Sequence, residues 1–401
     1  MTTSATDGTL DVEALLASRA RAGEAYFAAE AGRLAELCHR MAERFARGGR
    51  LLAIGASAQA RSDARHVAVE FVHPVIVGKR ALPAIALTAE GGPLEAQAQL
   101  ACEPHDIVVA FGGADGDPVP SALAVARELG CLTLAFEEVG AEWEFPPPTA
   151  DPLVAQELAE TAYHLLWELV HVFFEHRGLL EGRLARQVHD TGASSFLYPF
   201  LAESETDLDS VLADVRDSVL MKAAEITGLR AQTVGEGRAE LRAAAAQLRL
   251  RLDAGGRLLA LGNGGSATDA MDAVADMRVP PRPWPSRPAL DLTEDAAVLT
   301  AIANDIGAEA IFARQVIAHG RGGDALLAIS TSGNSANVIE ALREARSRGL
   351  LTIAMVGYDG GRVAAEALAD HVVVTRSEHI PRIQEAQASA WHVLRELMEE
   401  T

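Results

Sequence analysis

The sequence predicts an α/β protein built from two similar halves, each a parallel β-sheet with helices on both faces. Two observations lead to this prediction. ARGGRLLAIG at 46–55 matches DAGGRLLALG at 253–262, and later segments of the two halves match in the same order, which indicates an internal duplication. In both halves, short apolar runs rich in β-branched residues alternate with helical stretches rich in Ala, Leu and Arg, as strands and crossover helices do.

The matched segments also define the predicted domains. Residues 1–23 precede the first match and are expected to form an N-terminal tail, followed by a first domain at 24–181. Residues 182–207 lack a strong period and are predicted to be a linker. The second domain is expected at 208–401.

Composition narrows the classes of function. The 401 residues are 49% hydrophobic and carry a net charge of −21, which disfavours nucleic acid and anionic membrane as partners. No uncharged apolar run approaches the roughly 20 residues that span a bilayer, and the N-terminal residues do not resemble a signal peptide, so we expect a cytoplasmic protein. The three cysteines, Cys38, Cys102 and Cys131, lack metal-binding spacing and are predicted to be buried thiols.

The first candidate binding element is the turn in LLALGNGGS at 258–266, between a predicted strand and a predicted helix. Its glycines, Gly264 and Gly265, allow positive φ and a close approach of the backbone to a ligand. The helix start offers unpaired N–H groups, and Asn263 and Ser266 add polar side chains. Taken alone, this turn is equally compatible with a structural turn and a ligand loop.

The second candidate element is the turn in LLAISTSGNS at 326–335, which again joins a strand to a helix. It carries more hydroxyl groups than helix capping requires, namely those of Ser330, Thr331, Ser332 and Ser335. Ligands bind at the carboxyl ends of strands in open α/β sheets, so a phosphate is expected here.

The motifs GNGGS, STSGNSANV, DGGRVA and RIQE, followed by a His, resemble the SIS (sugar isomerase) family and, within it, the phosphoheptose isomerases. AIANDIGAEAIFARQV at 301–316 is similar to the middle segment of that family. The resemblance implies a five-stranded parallel sheet in each half, and thus two SIS domains. It also implies phosphate binding at the STSGNS turn with Asn263 and Ser266, and a position near the sugar for Asp305. Because family sites lie between subunits, a homodimer is expected, a pseudo-tetramer of SIS domains.

The resemblance further implies the chemistry. The family interconverts a ketose and an aldose through an enediol, with a Glu as base, a His as acid, and a zinc ion bound by His, Glu, Gln and His. The first two ligands form an H-x-x-x-E motif on the helix after the GNGGS turn. In the second half this motif is replaced by Asp272 and Asp276, whereas Gln384 and His392 are retained. The two aspartates would either hold a divalent metal or form a solvated acidic face.

The first half has the complementary pattern. It keeps all four family-type metal positions, which are His66, Glu70, Gln156 and His164. Its turns, however, read GASAQA and FGGADGD, and the second of these has no hydroxyl and carries acidic groups that would repel phosphate. These complementary losses suggest a composite site that draws on both halves.

The spacing of the Gln and the His limits how they can bind a metal. Eight residues on one straight helix span about 12 Å. Either the Gln precedes its helix, or the ligands of one ion come from different copies of the unit.

The sequence therefore predicts an aldose–ketose isomerase acting on a sugar phosphate, in the first place sedoheptulose 7-phosphate to glycero-manno-heptose 7-phosphate, with zinc as the expected cofactor. Glu70 is the expected base and Asp276 the alternative, and His392 or His164 is the expected acid. The alternative function is a non-catalytic sugar-phosphate-binding protein whose first domain is structural or binds a partner.

Overall fold

The computed structural model describes residues 10–75, 79–113, 116–175 and 207–400. Within them, the chain forms two five-stranded sheets in which every strand pairing is parallel, with helices alternating between the strands. The predicted α/β fold with two five-stranded parallel sheets is confirmed. The predicted linker at 182–207 lies, except for Asp207, outside the described residues.

The first half begins with a long helix and then alternates strands and helices. Its helices are α1 (Val12–Ala46), α2 (Ala58–Val72), α3 (Leu94–Ala101), α4 (Val119–Glu128) and α5 (Pro152–Glu175). Its strands are β1 (Leu51–Gly55), β2 (Ala84–Thr88), β3 (Ile107–Phe111), β4 (Leu132–Ala135) and β5 (Trp143–Glu144).

The second half repeats this alternation with more helices. They are α6 (Leu208–Glu236), α7 (Arg238–Asp253), α8 (Gly265–Arg278), α9 (Ala296–Asp305), α10 (Ile311–His319), α11 (Ala336–Ser347), α12 (Gly361–Ala365) and α13 (Ile380–Glu399). The strands are β6 (Leu258–Leu261), β7 (Ala289–Asp291), β8 (Ala325–Ser330), β9 (Leu351–Gly357) and β10 (His371–Thr375).

The two sheets have the same topology. The strand order is β2-β1-β3-β4-β5 in the first and β7-β6-β8-β9-β10 in the second, so each places its first strand between its second and third. The chain direction across the sheet therefore reverses between β1 and β3, and between β6 and β8. Such a switch point opens a crevice at the carboxyl ends of the two strands, where ligands bind in open α/β sheets.

Each sheet is buried on both faces, as expected for parallel strands with apolar sequences. In β1, Leu51 and Ala53 face one buried cluster, whereas Leu52 and Ile54 face another. The strand β6 shows the same alternation between two further clusters. This packing fixes the strand ends, and with them the turns that follow.

The chain divides into two compact units, one formed by Ala22–Glu225 and the other by the residues up to Arg21 together with those from Ile226 onward. The stretch predicted as a tail contains the first turns of α1, which begins at Val12. Val12 is 3% exposed and packs in the core of the second unit, which explains why this stretch is helical. None of the helices in the described ranges is long and apolar enough to cross a membrane.

Candidate functional site

The turn between β8 and α11 is tightly constrained by its neighbours. Ser330 ends β8, and Ser335 precedes the first residue of α11. Gly333 has φ +61°, and a Cβ on it would lie 2.3 Å from the carbonyl oxygen of Gly360. Only glycine fits this position without displacing backbone. The turn is therefore shaped before any ligand arrives.

Hydrogen bonds within this turn use its hydroxyl groups as acceptors. The backbone N–H of Gly333 donates to Ser330 Oγ at 3.2 Å, and that of Asn334 donates to Ser332 Oγ at 3.2 Å. Asn334 Oδ1 in turn accepts from the N–H of Arg362 at 3.0 Å. A serine that accepts from the backbone keeps its own O–H as a donor, which suits an anion with several acceptor oxygens.

The GNGGS turn is connected to the same edge of the sheet. Gly264 has φ +58°, and a Cβ on Gly262 would lie 2.1 Å from the carbonyl oxygen of Ser266. The amides of Asn263 and Asn337 exchange two hydrogen bonds of 3.0 and 2.8 Å, which join this turn to the start of α11. Asn337 was not among the predicted site residues, although it lies within the STSGNSANV motif that marked the site.

Asp305 lies at the end of α9, where it is exposed. Its carboxylate accepts a hydrogen bond of 2.8 Å from the side chain of its neighbour Asn304. In the part of the chain that the structure describes, this carboxylate is hydrogen-bonded within α9 and not to either of the two turns. Its predicted position near the sugar stays a prediction.

Three of the predicted metal ligands meet in the first half. His66 Nε2 lies 3.2 Å from His164 Nε2 and 3.9 Å from Glu70 Oε1, and the donor atoms of all three residues lie within 4.8 Å of one another. All three side chains are buried. His66 and Glu70 share one face of α2 because they are four residues apart, and α5 supplies His164.

This donor set fits a divalent metal ion. Ligand atoms bound tetrahedrally at about 2 Å lie about 3.3 Å apart, close to the spacings found here. Burial, and secondarily the neighbouring His164, hold the pKa of His66 well below its usual value, so the imidazole is neutral as a ligand must be. The hydroxyl of Tyr163 lies 3.1 Å from His66 Nδ1 and orients the ring from behind. Zinc is compatible with two imidazoles and a carboxylate.

Each of the two predicted glutamine ligands lies on the same helix as its histidine, eight residues before it. Gln156 and His164 are both within α5, and Gln384 and His392 are both within α13. Within each pair the residues are therefore about 12 Å apart along the helix axis. The alternative in which the Gln precedes its helix is excluded for both halves, and ligation by Gln156 or Gln384 stays a prediction.

The corresponding position in the second half is arranged differently. Asp276 Oδ2 accepts a hydrogen bond of 3.1 Å from the indole Nε1 of Trp391 and lies 3.7 Å from His392 Nε2, and all three side chains are buried. Asp272 is half-buried one turn earlier on α8. Among the described residues of the second half alone, no three His, Cys, Asp or Glu donors converge as they do in the first. No spacing or motif in the sequence predicted the contact between Trp391 and Asp276.

The turn after β3 in the first half is acidic. Asp117 accepts a hydrogen bond from the N–H of Val119 at 2.9 Å, and Asp115 lies outside the described residues. Burial, and secondarily Asp117, raise the pKa of Glu137 above its ordinary value. A phosphate would meet like charge at this edge, whereas the second half offers hydroxyl groups.

Together, the fold and the turns define a tandem α/β protein with a candidate ligand site at the switch point of its second sheet. A family model described as SIS domain matches residues 223–357. The phosphoheptose isomerase of Chlorobium phaeobacteroides is 40% identical over 214 residues, which cover 52% of this chain and 88% of that protein. The chain belongs to the SIS-domain family, the family that includes these isomerases.

Two further similarities are consistent with this assignment. The phosphoheptose isomerase of Thermodesulfovibrio yellowstonii is 39% identical over 188 residues, which cover 47% of this chain and 92% of that protein. A solved structure of the C-terminal domain of glucosamine-fructose-6-phosphate aminotransferase from Francisella tularensis is 10% identical with a TM-score of 0.57. It covers 96% of this chain and 93% of that chain, so the similarity in fold extends over both halves.

Proposed function

We propose that this protein is an aldose–ketose isomerase that acts on a sugar phosphate, with sedoheptulose 7-phosphate as the first substrate to test. The observation that carries the proposal is the hydroxyl-rich turn between β8 and α11, held in shape by backbone contacts at the switch point of the sheet. The two relatives named phosphoheptose isomerase support the choice of substrate.

In this proposal the second half holds the phosphate. The hydroxyl groups of the turn donate to the phosphate oxygens, and the first N–H groups of α11 add a partial positive charge. Asn263 is positioned by Asn337 to donate at the same edge. The proposed phosphate ligands of the β8–α11 turn are Ser330, Thr331, Ser332 and Ser335.

The proton transfers are assigned to the first half. Glu70 takes the proton from the carbon next to the carbonyl and returns it to the neighbouring carbon, and His164 exchanges a proton with the oxygens of the enediol. A zinc ion held by His66, Glu70 and His164 would polarise the carbonyl and stabilise the charge on its oxygen. Glu70 is preferred to Asp276 because Asp276 already accepts from Trp391 and is one methylene shorter.

One observation favours a second candidate function. The hydrogen bond between Trp391 and Asp276 places the second-half carboxylate in a buried structural contact. If only the phosphate-binding turns are functional, the protein binds a sugar phosphate without converting it. Binding of sedoheptulose 7-phosphate without any product would favour this function.

The test is the formation of aldoheptose phosphate from sedoheptulose 7-phosphate by the purified full chain. The assay is run after treatment with a chelator and again after zinc is added back. Turnover that is lost with the chelator and restored by zinc supports the isomerase and its metal. A folded protein that shows no turnover under either condition contradicts it.

We also propose that the active form is a homodimer. The helix α9 has the sequence AAVLTAIAND, yet none of its residues is buried, and Ile306 just after it is 55% exposed. An apolar helix left uncovered is typical of a surface that contacts another chain. A second copy of this protein is the expected partner, since most soluble oligomers are homo-oligomers.

A further inference from the structure

Two of the three cysteines lie side by side in the first half. Cys102 follows α3, Cys131 precedes β4, and both belong to the same buried cluster beside the sheet. Cys131 Sγ donates a hydrogen bond of 3.3 Å to the carbonyl oxygen of Glu103, the residue after Cys102, so the Cys131 side chain reaches the backbone next to Cys102. All three cysteines are buried, as the sequence predicted. Cys102 and Cys131 are 29 positions apart, a spacing that did not predict that they lie in the same cluster.

The segments that carry the two thiols are braced against each other. Arg44 Nη1 donates to the carbonyl oxygens of Pro104 and Gly130 at 2.8 and 2.9 Å. The N–H of Leu132 donates to the carbonyl oxygen of Asp106 at 2.9 Å. These hydrogen bonds hold the segment that follows Cys102 next to the segment that carries Cys131.

The two thiols differ in acidity. The neighbouring Cys131 thiol, together with Arg50, lowers the pKa of Cys102, although burial and Asp106 oppose this shift. Arg50 is fixed beside Cys102 because its Nη2 donates to the carbonyl oxygen of Ala101 at 2.6 Å. The neighbouring Cys102 thiol and burial raise the pKa of Cys131. Cys102 is therefore the thiol that forms a thiolate more readily.

We propose that Cys102 and Cys131 form a redox site that a hydroperoxide converts reversibly into an intramolecular disulfide. The Cys102 thiolate attacks the peroxide, an S–O bond forms, the O–O bond breaks, and the released oxygen takes up a proton. The Cys131 sulfur then attacks the sulfenic sulfur, the S–S bond forms, and hydroxide leaves with the Cys131 proton as water. The two sulfurs lose two electrons in total, and the peroxide gains them. This inference does not depend on the proposed isomerase activity.

Cys38 provides an internal control. It lies in α1 with no exposed surface, and burial raises its pKa. Cys102 and Cys131 are 9% and 5% exposed, so each keeps a small accessible surface that Cys38 lacks. Unselective oxidation would modify Cys38 as well, whereas the proposed site leaves Cys38 reduced and oxidises only Cys102 and Cys131.

The test uses the full chain, first reduced and then treated with hydrogen peroxide. The number of titratable thiols in denaturant should fall from three to one, with the loss of two hydrogen atoms from the intact mass and a peptide that links Cys102 to Cys131. Dithiothreitol should restore all three thiols. Three remaining thiols, oxidation beyond the disulfide, or a link between two chains would overturn the proposal.

Two single variants separate the steps. In Cys131→Ser the peroxide should leave a sulfenic acid on Cys102 that dimedone labels, without any disulfide. Cys38→Ser should still lose both remaining thiols in a reversible way. Absence of dimedone labelling at Cys102 in a folded Cys131→Ser protein would contradict its role as the attacking thiol.

Discussion

Ser332 Oγ accepts a backbone hydrogen bond within the β8–α11 turn, so its own O–H is the group available to a phosphate. In Ser332→Ala we expect KM to rise about 10- to 100-fold, the usual effect of losing one hydrogen bond to a charged group, with a smaller change in kcat. Ser347→Ala is the matched control, because Ser347 lies at the end of α11 and donates to the carbonyl oxygen of Glu344. Steady-state kinetics distinguish the two variants, and an unchanged KM in Ser332→Ala would remove this residue from the phosphate site.

Glu70 and Asp276 are the two candidates for the base, and isosteric amides separate them. Glu70→Gln is expected to lower kcat about 10²- to 10⁴-fold, because an amide cannot accept the proton. Asp276→Asn should stay within a few-fold of the parent, since an amide oxygen still accepts from Trp391. Measured kcat values with the opposite pattern would move the base to the second half.

His171 gives the first half a dependence of its stability on pH. Burial and the neighbouring Lys79 lower its pKa to about 4, although the carbonyl oxygens of Trp167 and Arg80, at 2.8 and 2.9 Å, favour protonation. In the unfolded chain this His becomes protonated near pH 6.5, so the free energy of unfolding is not reduced by this residue above that pH. As the pH falls from 6.5 toward 4, the free energy of unfolding decreases by up to about 3 kcal/mol.

Urea titrations at pH 7 and at pH 4.5 test this expectation. The free energy of unfolding should fall less between these pH values in His171→Gln than in the parent, because the amide does not titrate. Equal pH dependence in the two proteins would show that His171 does not control this change.

At the scale of elements, the β8–α11 turn depends on one glycine. Gly333→Ala would place a Cβ 2.3 Å from a backbone oxygen at a positive φ, at a cost of about 1–3 kcal/mol. We expect a lower melting temperature and a loss of phosphate-ester binding. Gly323→Ala is the control, because a Cβ there has nothing within 4 Å. Thermal unfolding and calorimetric titration measure both effects, and parent-like values for Gly333→Ala would contradict the tight fit.

The elements also show what could be predicted from sequence. The repeats predicted two similar parallel sheets, because a duplicated pattern of strands and helices constrains both halves at once. The turns after β6 and β8 were found because glycine and hydroxyl residues directly follow apolar strands. The contacts of Trp391 with Asp276 and of Cys102 with Cys131 were not predictable, since each joins residues far apart in sequence with no spacing rule. The start of α1 was missed because its apolar residues pack on a distant part of the chain.

At the scale of the whole molecule, α9 is expected to mediate the homodimer. Introducing charge with the double variant Val298→Glu and Ile306→Glu should convert the dimer to a monomer, because both side chains are exposed apolar groups. Leu250→Glu is a matched control on another surface, since Leu250 is 69% exposed on α7. Sedimentation velocity reports the mass directly. A parent protein that is already monomeric, or a dimer that survives the double variant, would rule out this surface.

Isomerisation of a sugar phosphate through an enediol requires removal of a proton from carbon, and exchange of that proton with solvent can be measured. Sedoheptulose 7-phosphate is incubated with the zinc-supplemented full chain in D₂O and followed by NMR. The proposed mechanism predicts that deuterium enters the carbon next to the carbonyl while an aldoheptose phosphate appears, and that Glu70→Gln abolishes both. A ketose that binds but keeps its protons would contradict isomerisation and leave a sugar-phosphate-binding protein.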